Sequence, residues 1–171
     1  MPIEPETKDW TWVLHERCPE CGFDPLDVDR DDLGRRIRHA AAAMHARLHW
    51  ERVAERPDDA TWSPLEYGAH VRDVCRIMLG RLEQLLAEDD PEFANWDQDR
   101  TAVDDDYASQ QPEHVAVELD LAAAALASAA DAVPADAWER PGRRSNGSVF
   151  TVETLLAYAL HDLEHHVWDV R

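Results

Sequence analysis

Nine histidines in 171 residues are this chain's main resource for chemistry. In the run His161-Asp162-Leu163-Glu164-His165-His166, His161 and His165 stand four residues apart. On a helix that spacing puts both imidazoles on one face, within reach of a single metal ion. Taken alone, such a pair also arises by chance on a solvated helix face. Leu160 and Leu163 bracket this one and set it at the edge of a buried seam. The adjacent face carries Asp162 and His166, also four apart, as a rival pair or as outer support for the first. His70, between Tyr67 and Val74 on another apolar helical stretch, is the natural third ligand, although a lone histidine there is more often a core residue. Three histidines from two helices leave an open coordination position, the pattern of catalytic rather than structural zinc. His45 and His49 repeat the spacing, but Arg47, Glu51 and Arg52 surround them, so that pair reads as wet helix surface.

A site of this kind suits thiol chemistry. A free thiol, with a pKa near ~8.5, is mostly protonated at neutral pH, and a metal with an open position stabilises the thiolate. Three neutral imidazoles leave the full dipositive charge on the ion. The same site makes hydroxide from bound water, so metal-dependent hydrolysis is the competing reading. Zinc and nickel both suit imidazole ligands. Glu164 and His166 are close enough in sequence to serve as a base or as outer support. Arg143 and Arg144 precede the last helical stretch and offer a clamp for a substrate carboxylate, but read more simply as solvated arginines on an acidic surface.

Three further features carry less. Cys18-Pro19-Glu20-Cys21-Gly22 is half of a zinc knuckle, with His15 three residues earlier as a further donor. A structural site wants four ligands, no second CxxC exists, and no strand-helix context supports redox chemistry. The pair is therefore expected first to belong to an arm that packs on the bundle, outside the site, with a minor metal site and then redox chemistry as the alternatives. Cys75 reads as a small core residue. The acidic run from Asp97 to Asp106 lacks the spaced ligands and glycine of a calcium loop, and Trp96 beside it is placed to line an entrance.

Positioning these residues takes four helical stretches. The first is predicted from Asp32 to Arg56, with Leu33, Ile37, Ala40, Met44 and Leu48 three or four apart and Pro57-Asp58-Asp59 as its stop. The second starts at Ser63-Pro64, a capping residue and a proline at the first helical position, with Glu66 three residues after the cap. It runs through Val71, Val74, Met78 and Leu85 to Glu88-Asp89-Asp90-Pro91. The third opens at Gln111-Pro112 with the seam Val115, Leu119, Ala122, Leu126, Ala129 and Val133. The fourth starts near Thr151 and continues through Leu156, Leu160, Leu163 and Val167. Four such stripes bury one another most simply as an all-α four-helix bundle, spanning residues 31–171, with an extended N-terminal arm over residues 1–30. The stretch from Pro91 to Gln110 has no clear periodicity and is predicted to be a long loop.

Charge narrows the function classes. Lys and Arg total 17 against 36 Asp and Glu, a formal charge of −19. Phosphate contacts and anionic membrane surfaces both need a basic face, so nucleic-acid and membrane binding are excluded. No apolar run approaches the ~20 residues of a membrane span, and three cysteines suit a reducing compartment, so a cytoplasmic protein is expected.

The segment Trp62-Ser63-Pro64-Leu65-Glu66-Tyr67-Gly68-Ala69-His70-Val71-Arg72-Asp73-Val74 resembles the first signature of the DinB-like superfamily, and Leu160-His161-Asp162-Leu163-Glu164-His165-His166 resembles its closing signature. Asn95-Trp96-Asp97-Gln98-Asp99 and Arg144-Ser145-Asn146-Gly147 are similar to loops of an actinobacterial branch of that family. The resemblance covers residues 30 to 171. It implies a four-helix bundle with a divalent metal held by His70, His161 and His165, and helix-face pairing into a homodimer. It further implies an enzyme that activates a low-molecular-weight thiol, mycothiol or a similar cosubstrate, for transfer to a small electrophile. A hydrolase, or a bundle that only binds a small ligand or partner, are the alternatives, because fold transfers within such families better than activity does.

Overall fold

The computed structural model describes Ile3 and residues 8–171. After three short 3-10 turns the first long helix, α1 (Leu33–Arg47), buries Leu33, Ile37, Ala40, Ala41 and Met44. The second, α2 (Pro64–Ala87), opens on a reciprocal capping box: Ser63 Oγ accepts from the Glu66 amide, and the Glu66 carboxylate accepts from the Ser63 amide at 2.9 Å. A short helix α3 (Gln98–Asp104) follows, capped by Asp97, and then α4 (Pro112–Asp131), with proline in its first turn. The last helix, α5 (Val152–Asp169), starts on a second capping box, built from Thr151 and Thr154.

The four long helices form a bundle in which α4 and α5 each pack on both α1 and α2, while α1 and α2 meet only slightly. Round the bundle the order is α1, α4, α2, α5, so the first two helices in sequence lie diagonally. Gly68 permits their one close approach, since a Cβ there would fall 2.6 Å from a methyl of Leu48. Three short strands add a small sheet at one end: β1 (Glu92–Phe93), β2 (Pro141–Arg144) and β3 (Val149–Thr151). β1 pairs parallel with β2, placing Glu92 opposite Arg143, and β2 pairs antiparallel with β3, placing Gly142 opposite Phe150.

The bundle agrees with the apolar periodicity, and three local details differ. α1 ends at Arg47 and not at Arg56. Beyond Leu48 the residues to Arg56 are exposed or half-buried, so nothing rewards continued winding; the chain turns, and the Val53 carbonyl accepts from the Leu65 amide at 2.9 Å. The stretch from Pro91 to Gln110 is not a plain loop, because it holds β1, α3 and a 3-10 turn at Tyr107–Ser109, whose tyrosine is fully buried. The buried stripe of α4 passes through Ala123 and Ala130, leaving Ala122, Ala129 and Val133 half-buried.

Part of the described chain before α1 lies against α5. Val13, Cys18 and Phe23 are buried, and the turn Trp10–Leu14 packs on that helix. Among the described residues no helix is long and apolar enough to cross a membrane.

Candidate metal centre

Successive residues of an α-helix point about 100° apart, so the pairs 161/165 and 162/166 of α5 face different neighbours. His161 and His165 turn toward the arm, where they meet Cys18 and Cys21; one donor atom from each of the four lies within 4.8 Å of all the others. Asp162 and His166 turn toward α2, where they meet His70 within the same limit. The three histidines expected as one ligand set are thus all at convergent positions but divided between two groups. His161 and His165 come together as the spacing predicts; His70 joins the pair on the adjacent face.

His70 is fully buried, and neither ring nitrogen has a hydrogen-bond partner among the described residues. Its nearest polar neighbour is Asp162 Oδ1, 3.5 Å from Nε2, too far for a good hydrogen bond. Aromatic rings hold the imidazole in place: Trp96 stacks on it at 5.4 Å with the planes 5° apart, and Trp62 lies at 5.3 Å. Burial pushes the His70 pKa down, which keeps the ring neutral and fit to coordinate.

Asp162 and His166 complete this group. His166 Nε2 lies 2.9 Å from Asp162 Oδ1, and its Nδ1 lies 2.8 Å from Asp169 Oδ2. Burial opposes a charge on His166, but the bonds to Asp162 and Asp169 outweigh it and hold its pKa up at about 9. Burial likewise works to raise the pKa of Asp162, and the bond from His166, with the imidazole of His70 nearby, more than reverses that, so the carboxylate stays ionised. Once His166 gives up its extra proton on binding, two imidazoles and one carboxylate, with Asp169 behind the second imidazole, are a donor set suited to a divalent transition metal with open positions. The unpartnered nitrogens of His70 fit such an ion, since an imidazole buried in this way is otherwise costly.

In the second group Cys18, His161 and His165 are buried and Cys21 is half-buried. Cys18 Sγ lies 3.7 Å from His165 Nδ1, and His161 Nε2 has no partner. Burial, with the neighbouring His165, lowers the His161 pKa to about 4, and burial lowers that of His165 too. Burial also pushes the Cys21 thiol up to about 12. His15 is exposed and stands outside both groups.

A cleft of about 590 Å³ opens over both groups, bordered by Trp10, Trp62, Tyr67 and Tyr158 and by Asp162, His161, His165 and His166. Its other charged residues are Glu20, Asp99 and Asp169 against Lys8, so its field is negative. Arg143 and Arg144 do not border it: Arg143 pairs with Asp90, and Arg144 bonds Asn146 and Ser148 within the β2–β3 hairpin. Trp96 packs on His70 rather than bordering the opening. Cys75 is buried in the core. One turn beyond His70, Asp73 accepts from Tyr107 Oη at 2.6 Å and from Arg72 at 2.9 Å, tying the segment that carries Trp96 to α2.

Sequence reading passed over the link between Cys18-x-x-Cys21 and His161-x-x-x-His165. Each is half a site, and only the arm's passage over α5 brings them together. The signal was two incomplete donor pairs at opposite ends of one chain.

A four-helix bundle with convergent imidazole and carboxylate donors beneath an open cleft has the build of a bundle metalloprotein. The sequence pattern of the DinB superfamily matches residues 33–170, and the chain belongs to that superfamily. Its fold is similar to that of YfiT from Bacillus subtilis, described as a probable metal-dependent hydrolase with an unusual four-helix bundle topology. The TM-score is 0.74 at 15% identity, covering 82% of this chain and 83% of that one. Among curated proteins none matches the chain in sequence. The family match begins at residue 33, so Cys18 and Cys21 lie outside it.

Proposed function

We propose that this protein is a metal-dependent enzyme in which His70, Asp162 and His166 hold a divalent ion, zinc or nickel, beneath the cleft. The observation that carries the reading is His70: a fully buried imidazole without a hydrogen bond, directed at Asp162 beside His166. When bound, the ion supplies Lewis acidity to a thiol or water entering from the cleft.

The chain's own residues shape what enters. Trp10, Trp62, Tyr67 and Tyr158 present aromatic faces to a small molecule. The carboxylates of Glu20, Asp99 and Asp169 disfavour an anion and favour an uncharged or cationic substrate. Asp169 fixes the ring of His166, and Trp96 and Trp62 fix that of His70. The finer reading is thiol transfer: a low-molecular-weight thiol of the mycothiol type gives up its proton to a cleft carboxylate or to solvent, and its sulfur bonds to an electrophilic carbon whose leaving group departs with the electron pair of the broken bond. The second reading is hydrolysis, favoured by the fold shared with YfiT. There Glu20 and Asp169 are carboxylates of the cleft able to take the proton of water.

The test measures metal content by elemental mass spectrometry in the parent and in His70→Ala. It then follows turnover of a chloro-nitroaromatic electrophile with added thiol and of a nitrophenyl ester without it. Turnover of the first, lost in His70→Ala, supports thiol transfer; turnover of the second alone supports hydrolysis. Neither reaction in metal-loaded protein, with small-ligand binding unchanged after chelation, sinks the enzyme reading and leaves a binding bundle.

A further inference from the structure

We propose that Cys18, Cys21, His161 and His165 form a second metal site, a closed Cys2His2 zinc site that clasps the N-terminal arm to α5. The family match, which starts at residue 33, leaves out both cysteines, and the His70 group uses neither of the two histidines.

Geometry supplies the first argument. Zinc bonds of about 2.3 Å to sulfur and 2.0–2.1 Å to nitrogen place neighbouring ligand atoms of a tetrahedron roughly 3.3–3.8 Å apart. Cys18 Sγ and His165 Nδ1 already stand 3.7 Å apart, and all four donors lie within 4.8 Å of one another. Closing on an ion takes side-chain adjustments and no movement of a helix.

The local backbone is built to present the two sulfurs. The Gly22 amide donates to the Cys18 carbonyl at 3.0 Å and the Cys18 amide to the Phe23 carbonyl at 2.8 Å, folding Cys18–Cys21 into a tight turn. Gly22 closes it at φ +80°, where a side chain would be strained. Both cysteines are free thiols.

Charge and burial supply the second argument. Cys18, His161 and His165 are 1%, 4% and 6% exposed, and His161 Nε2 has no hydrogen-bond partner among the described residues. A bare dication would be costly at such depth. Here the two thiols release their protons to solvent, the two thiolates cancel the charge of the ion, and the imidazoles bind neutral. Outer support is in place as well: with Nδ1 toward Cys18, His165 turns Nε2 to Glu20 Oε2 at 3.3 Å. The rings of Trp10 and Phe23 cover the histidines. Four protein donors leave no open position, so this site is structural, in contrast to the three-donor group one helix face away.

Zinc there fixes the arm, and the arm carries Trp10, which borders the cleft. The site stands independently of what the His70 group does.

The test is cobalt substitution of the full-length protein. The parent should take up two equivalents, with a thiolate-to-cobalt charge-transfer band and the intense visible bands of a tetrahedral ion. Cys18→Ser should remove one equivalent and the thiolate band, whereas His166→Ala should remove the other equivalent and keep the band. A parent without the thiolate band, or a band that persists in the Cys18→Ser/Cys21→Ser double variant, overturns the proposal. Should the serine variants not fold, alkylation of the parent decides. Cys18 and Cys21 should resist the reagent in zinc-loaded protein and react at least tenfold faster with chelator present. Equal rates, or an isolated Cys18–Cys21 disulfide, overturn it.

Discussion

The imidazoles of His165 and His166, adjacent in sequence, stand 5.9 Å apart with their planes at 81°, and they serve different neighbourhoods. His165 faces Cys18 across 147 residues of chain, while His166 lies between Asp162 and Asp169. One turn of α5 therefore contributes to two donor groups, each completed by a different part of the protein. Single substitutions on this turn should separate them.

From the α2 side, His70→Leu addresses one of the two groups alone. In metal-free protein the change removes a buried imidazole that has no hydrogen bond and replaces it with an apolar side chain of similar size. Stability should hold or rise by about 1–2 kcal/mol, because deleting an unsatisfied buried polar group removes its desolvation penalty. Urea unfolding with chelator present measures this. The same variant should lose the stabilisation that an ion in this group supplies, so the stability gained by adding zinc shrinks to the share of the Cys18 group. A loss above about 2 kcal/mol in the metal-free state would show His70 to be an ordinary packed core residue.

Asp169→Asn probes the outer support. Asp169 Oδ2 receives Nδ1 of His166 at 2.8 Å, which orients the ring and strengthens its donor nitrogen. Losing the carboxylate charge should weaken metal binding by roughly 10–100-fold with the fold intact. Competition against a chromophoric chelator reads the affinity, and circular dichroism checks the fold. An unchanged affinity would remove His166 from the ligand set.

Much of this arrangement was legible beforehand. The stripes Leu33–Met44 and Leu156–Leu163 and the cap Ser63-Pro64-Leu65-Glu66 dictate long helices whatever surrounds them. The end of α1 was less legible, because Val53 extends the apolar spacing while nothing in the fold covers the residues from His49 to Arg52. In α4 the run Ala122–Ala125 offers equal apolar faces in every direction, so the buried stripe could be placed only to within a residue. How the donors divide between two groups was not legible for a related reason. Spacing shows that 161 and 165 share a face, and equally that 162 and 166 do, but which face meets α2 is a property of the packed bundle.

The capping box of α2 gives a pH prediction. Burial works to raise the pKa of Glu66, but the Arg56 guanidinium and the amide and hydroxyl of Ser63 more than offset this and hold it below its ordinary value. A carboxyl with a depressed folded pKa stabilises the fold above its unfolded pKa of about 4.3, and that stabilisation is lost as pH falls through the folded value. Glu66→Gln should therefore cost about 1–2 kcal/mol at neutral pH, the usual value of a cap with a charged partner. The deficit should shrink on acidification below about pH 4, as the parent loses its own advantage. Denaturant midpoints of both proteins across that range supply the comparison, and a deficit independent of pH would mean that the Arg56 pairing contributes nothing.

Tyr107→Phe tests whether the segment after α2 is held by one buried hydrogen bond. Tyr107 Oη donates to Asp73 Oδ2 at 2.6 Å in a fully buried position, and Asp73 is also held by Arg72 and Arg76. Because the acceptor is charged, removing the hydroxyl should cost about 1.5–3 kcal/mol, with the ring still filling its space. Asp73 keeps its arginine partners, so the carboxylate stays ionised and the bundle stays folded. The cost should surface in the segment from Pro91 to Gln110, which carries the Trp96 ring stacked on His70. Amide exchange around Trp96 should quicken while exchange in the middle of α4 does not, and metal stoichiometry should stay at the parent value. Uniform acceleration across the whole bundle would instead mean that Tyr107 belongs to the global core and does not act as a local anchor for the Trp96 clamp.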